Sequence, residues 1–413
     1  MKKKYLDIID PIHDFIRVSN DELEIIDTPI FQRLRRIRQL SGAHLVYPGA
    51  QHTRFEHSLG VLHIADQAGR ALLEKNILKK DDITYLRLAG LLHDIGHGPF
   101  SHLFEEVIRQ KKISHEDFGR QIILKSEIGD ILTKSGFDKK LVARIAFGDS
   151  KIQYMNEIVS GALSADMMDY LLRDGYFTGA EHAKADYKRI TQSLDVYKKK
   201  LALERSALYS FESMMHSRYQ MFKAVYFHKT VRAGEVMLLE ALRLADDEFG
   251  FTSLKMDEYI NLSDEYLISK LLNTKPVSKE LRQAKKLVRD YQNRNLLKCV
   301  FERIMTGKTL LGKSKTAELR KKISKKARVD ENEIFVDSSV TPSIPLTPSK
   351  KESNKIILIS KEQGKSWAQE IPISKIPLVS AMSGFMNILR IYTTDKNRNK
   401  VEIAAKSVSG SKK

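Results

Sequence analysis

The chain reads as a mostly helical protein: a helical bundle followed by a smaller α+β C-terminal region. Three observations point there. Apolar residues recur at helical spacing through roughly the first 300 residues. Three later clusters, Ile334-Phe335-Val336, Ile356-Ile357-Leu358-Ile359 and Ile388-Leu389-Arg390-Ile391-Tyr392, read as strands. Five of the ten prolines lie beyond residue 340, around a segment, 341–353, that reads as a mobile loop. The expected division is a helical domain over 1–300 and an α+β region over 301–413, ending in a basic tail from Lys396.

In chain order, Ile8, Ile9, Phe15, Ile16 and Val18 flank the turn at Pro11 and suggest two short strands. Asn20-Asp21 opens a short helix through Ile26. Asp27-Thr28-Pro29 opens another, in which Phe31, Leu34, Ile37 and Leu40 face the core. Arg33, Arg35, Arg36 and Arg38 fall mostly off that line, as a solvated basic face or a phosphate-holding one. Tyr47 through Gly60 runs from a turn into a long helix, in which Arg54 and His57 share a face. The central helix covers about 82–96, and Ser114-His115-Glu116 starts another. Asp166, Tyr170 and Arg173/Asp174 stand on one face of a later helix. Residues 190–205 read as a β-hairpin, and 207–245 as two helices hinged near His228–Gly234. Two or three short amphipathic helices occupy 254–293.

Composition narrows the function classes. No run of about 18 apolar residues occurs, which argues against a membrane span. The start, Met1-Lys2-Lys3-Lys4-Tyr5-Leu6, lacks the apolar stretch of a signal peptide. Cys299 is the only cysteine, so no intramolecular disulfide can form, and a cytoplasmic setting is expected. The net charge of +18 suits polyanions such as nucleotides or nucleic acid, and equally a merely lysine-rich surface.

The chemistry concentrates in Leu92-His93-Asp94-Ile95-Gly96-His97-Gly98-Pro99-Phe100-Ser101-His102. An imidazole beside a carboxylate suits a divalent metal. Gly96, Gly98 and Pro99 break the helix, so that His97 and His102 project from the turn. With His57 and Asp166, the His93-Asp94 pair makes a set of two histidines and two carboxylates from three helices, leaving positions open for water and substrate. The remaining histidines suit phosphate binding and proton transfer.

These residues resemble the HD-domain phosphohydrolases, whose signature is a spaced H…HD…D. The strings Asp10-Pro11-Ile12-His13, Ile26-Asp27-Thr28-Pro29, Phe31-Gln32-Arg33-Leu34-Arg35, Arg54-Phe55-Glu56-His57-Ser58-Leu59-Gly60 and Asp169-Tyr170 with Arg173-Asp174 are similar to the deoxynucleoside triphosphate triphosphohydrolase branch. That branch includes the sterile-alpha-motif-and-HD-domain protein and its shorter bacterial relatives. The resemblance implies an HD-domain bundle with metal ligands His57, His93, Asp94 and Asp166, the metal being Fe, Mn, Mg or Zn. It places Arg54, His97, His102, Tyr170 and Arg218 at triphosphate-contacting or catalytic positions, and His115 with Glu105 at a further catalytic pair. Gln39, Leu40, Asp174 and Tyr226 match a sugar pocket that leaves no room for a 2′-hydroxyl. The implied reaction is hydrolysis at the α-phosphorus, to deoxynucleoside and inorganic triphosphate.

Asp27, Gln32 and Arg35, with Arg189 and Lys229, match activator-nucleotide positions, and a homo-oligomer, dimer or tetramer, is implied. Departures exist. Met167 stands where vertebrate relatives have Lys, and Phe227 replaces a glutamine. Activator contacts near Leu6 and Glu204 do not match. Two other readings stay open: hydrolysis of another nucleotide phosphoester, and a non-catalytic nucleotide or single-stranded nucleic-acid binder.

Overall fold

The structure, a computed structural model, describes residues 5–108, 113–305, 311–342, 355–362, 365–382 and 385–409. Most of the expected loop, from 343 to 353, therefore lies outside the described residues, as does the end of the tail. The expected class holds: nineteen α-helices and three small sheets are present among the described residues. No described helix is long and apolar enough to cross a membrane.

The chain forms two compact units, each discontinuous in sequence. The first takes residues 1–221, 251–267 and 346–381; the second takes 222–250, 268–345 and 382–413. In the first, strands Tyr5–Asp10 and Asp14–Ser19 pair antiparallel and lead into the helix Asn20–Ile26, capped by Ser19. The core is built on the helices Arg54–Glu74, Lys80–Leu92 and Ala165–Thr178. Thr53 and Glu56 form a capping box at the start of Arg54–Glu74, satisfying backbone N–H groups that the helix cannot. Ser164 does the same for Ala165–Thr178, which fixes Asp166 in the first turn. The hairpin Leu194–Tyr197 with Lys200–Glu204 forms as expected, and strand Lys355–Glu362 extends it in parallel.

The second unit holds the helices Lys229–Phe249 and Lys279–Gln292 and an antiparallel sheet. In that sheet, Phe385–Thr393 lies between Lys298–Met305 and Ile334–Pro342.

Four sequence expectations need correction. The helix opened by Thr28 ends at Gln32 and tightens to a 3-10 turn over Arg33–Arg36. Ile37 is extended, because the Ile37 carbonyl accepts from the Arg54 N–H, and the Gln39 N–H donates to the His52 carbonyl. Phe31, Leu34 and Ile37 are buried all the same, whereas Leu40 is only half-buried. The central helix stops at Leu92, not near 96, as the Ile95 and His97 N–H groups switch to bonds three residues back. Two helices form over 207–245 as expected, but the break expected near His228–Gly234 begins earlier: the first helix ends at Met221, a π-turn covers Phe222–Tyr226, and His228 caps the helix that resumes at Lys229. The basic tail is a helix, Arg398–Ser409, because Val401, Ala404 and Ala405 bury against Val300, Ile323 and Ile391.

Candidate metal centre

His57 lies one turn into the helix Arg54–Glu74. His93 and Asp94 sit where Lys80–Leu92 ends, and Asp166 opens Ala165–Thr178. Three helices thus bring four side chains together. The His57 Nε2 atom lies 3.1 Å from Asp166 Oδ1 and 3.6 Å from Asp94 Oδ2. The His93 Nε2 atom lies 3.3 Å from Asp94 Oδ1 and 3.8 Å from Asp166 Oδ1. Adjacent ligands of an octahedral ion, each at about 2.1 Å, stand about 3 Å apart.

The donor chemistry fits a divalent ion. Both Nε2 atoms are buried and make no hydrogen bond. The Nδ1 atoms are occupied: that of His57 by Asp169 Oδ2 at 2.7 Å, that of His93 by the Gly90 carbonyl at 2.8 Å. A carboxylate and a carbonyl can only accept, so each imidazole carries its proton on Nδ1 and turns the Nε2 lone pair into the site.

The electrostatics agree. Burial opposes charge on His57, but the Asp166 and Asp169 carboxylates facing its two ring nitrogens overcome it and lift the imidazole to about 10, so that a cation bound at Nε2 would take the place of a proton there. Burial also opposes charge on Asp94, yet the Arg54 guanidinium holds it well below the usual carboxylate range. Three carboxylates at one buried point call for positive charge.

Beyond the helix end, Gly96 permits close contact with the helix His115–Lys125. A Cβ there would fall 2.1 Å from the His115 carbonyl oxygen and 2.4 Å from the Gly119 nitrogen. Phe100 and Ser101 both take positive φ, +55°, in the left-handed region. The turn is tied down at three points. Tyr259 donates its hydroxyl to the Gly96 carbonyl at 2.8 Å, Arg33 donates to the Ile95 carbonyl at 2.8 Å, and Asp264 accepts from the Phe100 N–H at 2.8 Å.

This packing places a second group beside the first. His97 Nε2 lies 3.3 Å from Asp94 Oδ1, and its ring stacks on His115 with centroids 4.0 Å apart. Glu105 Oε2 lies 3.1 Å from His115 Nδ1 and 3.3 Å from His102 Nδ1. Burial works against the Glu105 charge, but these two imidazoles hold the carboxyl far below its ordinary range. Burial, Arg54 and His115 together keep His97 neutral, its pKa well down.

The other expected site residues fall as follows. Arg54 pairs with Asp94 and donates to Ser101 Oγ at 2.8 Å. Arg218 lies 5.9 Å from the Tyr170 ring and 3.2 Å from Met167 Sδ. Asp174 is joined to Gln39 through His52: its Oδ1 lies 2.8 Å from His52 Nε2, and the Gln39 N–H donates to the His52 carbonyl. Leu40 follows in the same segment. Tyr226 belongs to the second unit and packs edge-to-face on Phe222. Asp27 is exposed near Gln32, which binds the Ile26 carbonyl, while Arg35 binds Gln32 and covers the Phe55 ring. Arg189 binds Ser206 on another part of the first unit. Lys229 is exposed in the second.

Asp10, His13 and Asp169 stand in the motif strings, which assign them no role. Helical spacing sets Arg173 on the face of Asp166, but in the structure it joins Asp169. The short polar spacing around Pro11 marks a turn but does not say what the turn touches.

A helical protein with a buried centre of two histidines and two carboxylates is the class that fold and site define. The comparisons narrow it. Residues 54–174 match the HD domain family and residues 185–412 the HD associated region, and the chain belongs to the HD-domain family. A solved hypothetical protein from Aquifex aeolicus is 30% identical, with TM-score 0.78 over 97% of this chain and 100% of its own. A phosphohydrolase from Bacteroides thetaiotaomicron is 26% identical, with TM-score 0.76 over 95% and 100%. The deoxynucleoside triphosphate triphosphohydrolase SAMHD1 homolog of Dictyostelium discoideum is 33% identical over 321 residues, 72% of this chain and 60% of that protein. Uncharacterized protein YwfO of Bacillus subtilis is 35% identical over 280 residues, 63% and 64%. The chain thus spans about three-fifths of the length of these two curated relatives.

Proposed function

We propose that the protein is a metal-dependent phosphohydrolase that cleaves deoxynucleoside triphosphates to deoxynucleoside and inorganic triphosphate. One observation carries the reading: four donors from three helices converge with two buried, unbonded Nε2 atoms. His57, His93, Asp94 and Asp166 would hold the ion. A divalent ion there supplies Lewis acidity toward a phosphoryl oxygen and makes a bound water more acidic.

The chain's own residues do the rest. Arg54 and Arg218 offer guanidinium donors to phosphate oxygens. Glu105 accepts from the Nδ1 atoms of His102 and His115, which orients their Nε2 atoms to give or take a proton. Asp174, His52 and Gln39 form a polar cluster suited to a sugar hydroxyl. The name of the Dictyostelium discoideum relative supports the substrate class. The same proposal assigns an activating nucleotide to Asp27, Gln32 and Arg35 with Arg189 and Lys229, in a homo-oligomer.

The test is incubation with each of the four deoxynucleoside triphosphates, alone and in pairs, with Mn, Fe, Mg or Zn. Release of inorganic triphosphate is expected. Orthophosphate or pyrophosphate would move the reading to another phosphoester. Polynucleotide binding without turnover with any metal would overturn it.

A further inference from the structure

Behind His57 lies a closed set of buried charges. Asp169 and Arg173 are fully buried, and Asp10 and His13 nearly so. Each oxygen of Asp169 receives two donors. Oδ2 takes His57 Nδ1 at 2.7 Å and Arg173 Nε at 2.9 Å; Oδ1 takes His13 Nε2 at 2.7 Å and Arg173 Nη2 at 2.9 Å. Arg173 is held in turn by Asp10, with Nη1 2.9 Å from Oδ2 and Nη2 3.3 Å from Oδ1. Asp10 Oδ1 also accepts the N–H groups of Ile12 and His13. His13 Nδ1 lies 3.3 Å from the Tyr187 hydroxyl. The turn between the first two strands is thereby wired to the back of the metal centre.

Gly60 makes room for this set. It lies three residues after His57, on the same helical face. A Cβ at Gly60 would stand 1.8 Å from Asp169 Oδ1 and 2.6 Å from Arg173 Nη2. Nothing larger than glycine leaves space for the carboxylate and guanidinium.

We infer that Asp169, clamped by Arg173, Asp10 and His13, is a positioning residue that sets the metal affinity of His57. The inference rests on the reading that His57 holds a metal. With all four acceptor positions filled by donors, the Asp169 carboxylate has one orientation. It fixes the His57 ring and its tautomer, and so aims the Nε2 lone pair. An amide at position 169 cannot reproduce this. Arg173 donates to both oxygens, so one side of an Asn must set its NH2 against an Arg173 N–H. Outer partners of a metal-bound histidine change affinity by about 10- to 100-fold.

The experiment titrates Mn(II) alone into metal-free protein by calorimetry, for the parent and for Asp169→Asn and Asp10→Asn. Imidazole 15N shifts report the His57 tautomer. Asp169→Asn should weaken Mn(II) binding about 10- to 100-fold, with circular dichroism unchanged and the Nδ1–H signature of His57 altered. Asp10→Asn, one residue further back, should weaken it less. Should Asp169→Asn not fold, His13→Leu, which removes one of the four donors, carries the test in the same direction. A folded variant that binds Mn(II) as tightly as the parent, with an unaltered His57 signature, overturns the inference while leaving the metal centre standing. A parent protein that binds no Mn(II) overturns the metal reading itself.

Discussion

Replacing Asp264 by Asn should flatten part of the protein's pH–stability profile. Asp264 is 1% exposed, and its two oxygens accept the Phe100 N–H at 2.8 Å and the Arg38 N–H at 3.0 Å. Burial pushes its carboxyl up to about 6; the two N–H bonds and the Arg38 charge only partly offset this. The folded state therefore holds the proton more tightly than the unfolded chain, whose carboxyl titrates near its ordinary value. The contribution to stability is fully present below about pH 4 and is lost as pH rises through about 6. For a shift of this size, linkage gives a loss of about 3 kcal/mol by pH 7, of which about 1.3 kcal/mol falls between pH 5 and 7.

An amide does not titrate, so Asp264→Asn keeps a constant penalty of about 1–2 kcal/mol for one poorly matched N–H and loses the slope. Urea unfolding at pH 5, 6 and 7 in chelator measures this. Trp367, the one tryptophan, lies in the same compact unit as Asp264 and reports on it. The parent should lose about 1.3 kcal/mol more than the variant over that range. The low-lying carboxylates Asp94, Asp166, Asp169 and Glu105 are common to both proteins and cancel. Parallel curves for the two proteins would refute the reasoning.

Other expectations follow from the same geometry. Asp166→Ala should remove Mn(II) binding and turnover together while circular dichroism is unchanged; normal turnover would show that the ligand assignment is wrong. Glu105→Gln should lower kcat by about 10²-fold, the usual loss when a proton-transfer group is misplaced, with the metal content intact. An unaltered pH–rate profile would count against that role. Tyr259→Phe leaves the buried Gly96 carbonyl without its donor and should cost about 1–3 kcal/mol in urea unfolding. No change would mean that the hydroxyl does not hold the turn.

Local chemistry determined much of this protein from the order of its residues. Thr28-Pro29, Thr53 through Glu56, Ser114 and Ser164 announce helix starts, because a side-chain oxygen there satisfies N–H groups that the helix cannot. Gly96, Gly98 and Pro99 announce a break, although the helix already ends at Leu92, ahead of His93-Asp94. From these, the four candidate ligands and the helices carrying them could be read before any coordinates. Tertiary contact decided the rest. Arg173 could have faced Asp166 by helical periodicity, but burial of a guanidinium demands full pairing, and only Asp169 with Asp10, 163 residues away, supplies it. The helix over Arg398–Ser409 looks like a solvated tail until the sheet beneath offers its alanines and valine a surface. Two helix ends and a strand turn meet at His57 because their apolar faces pack, and no local spacing encodes that meeting.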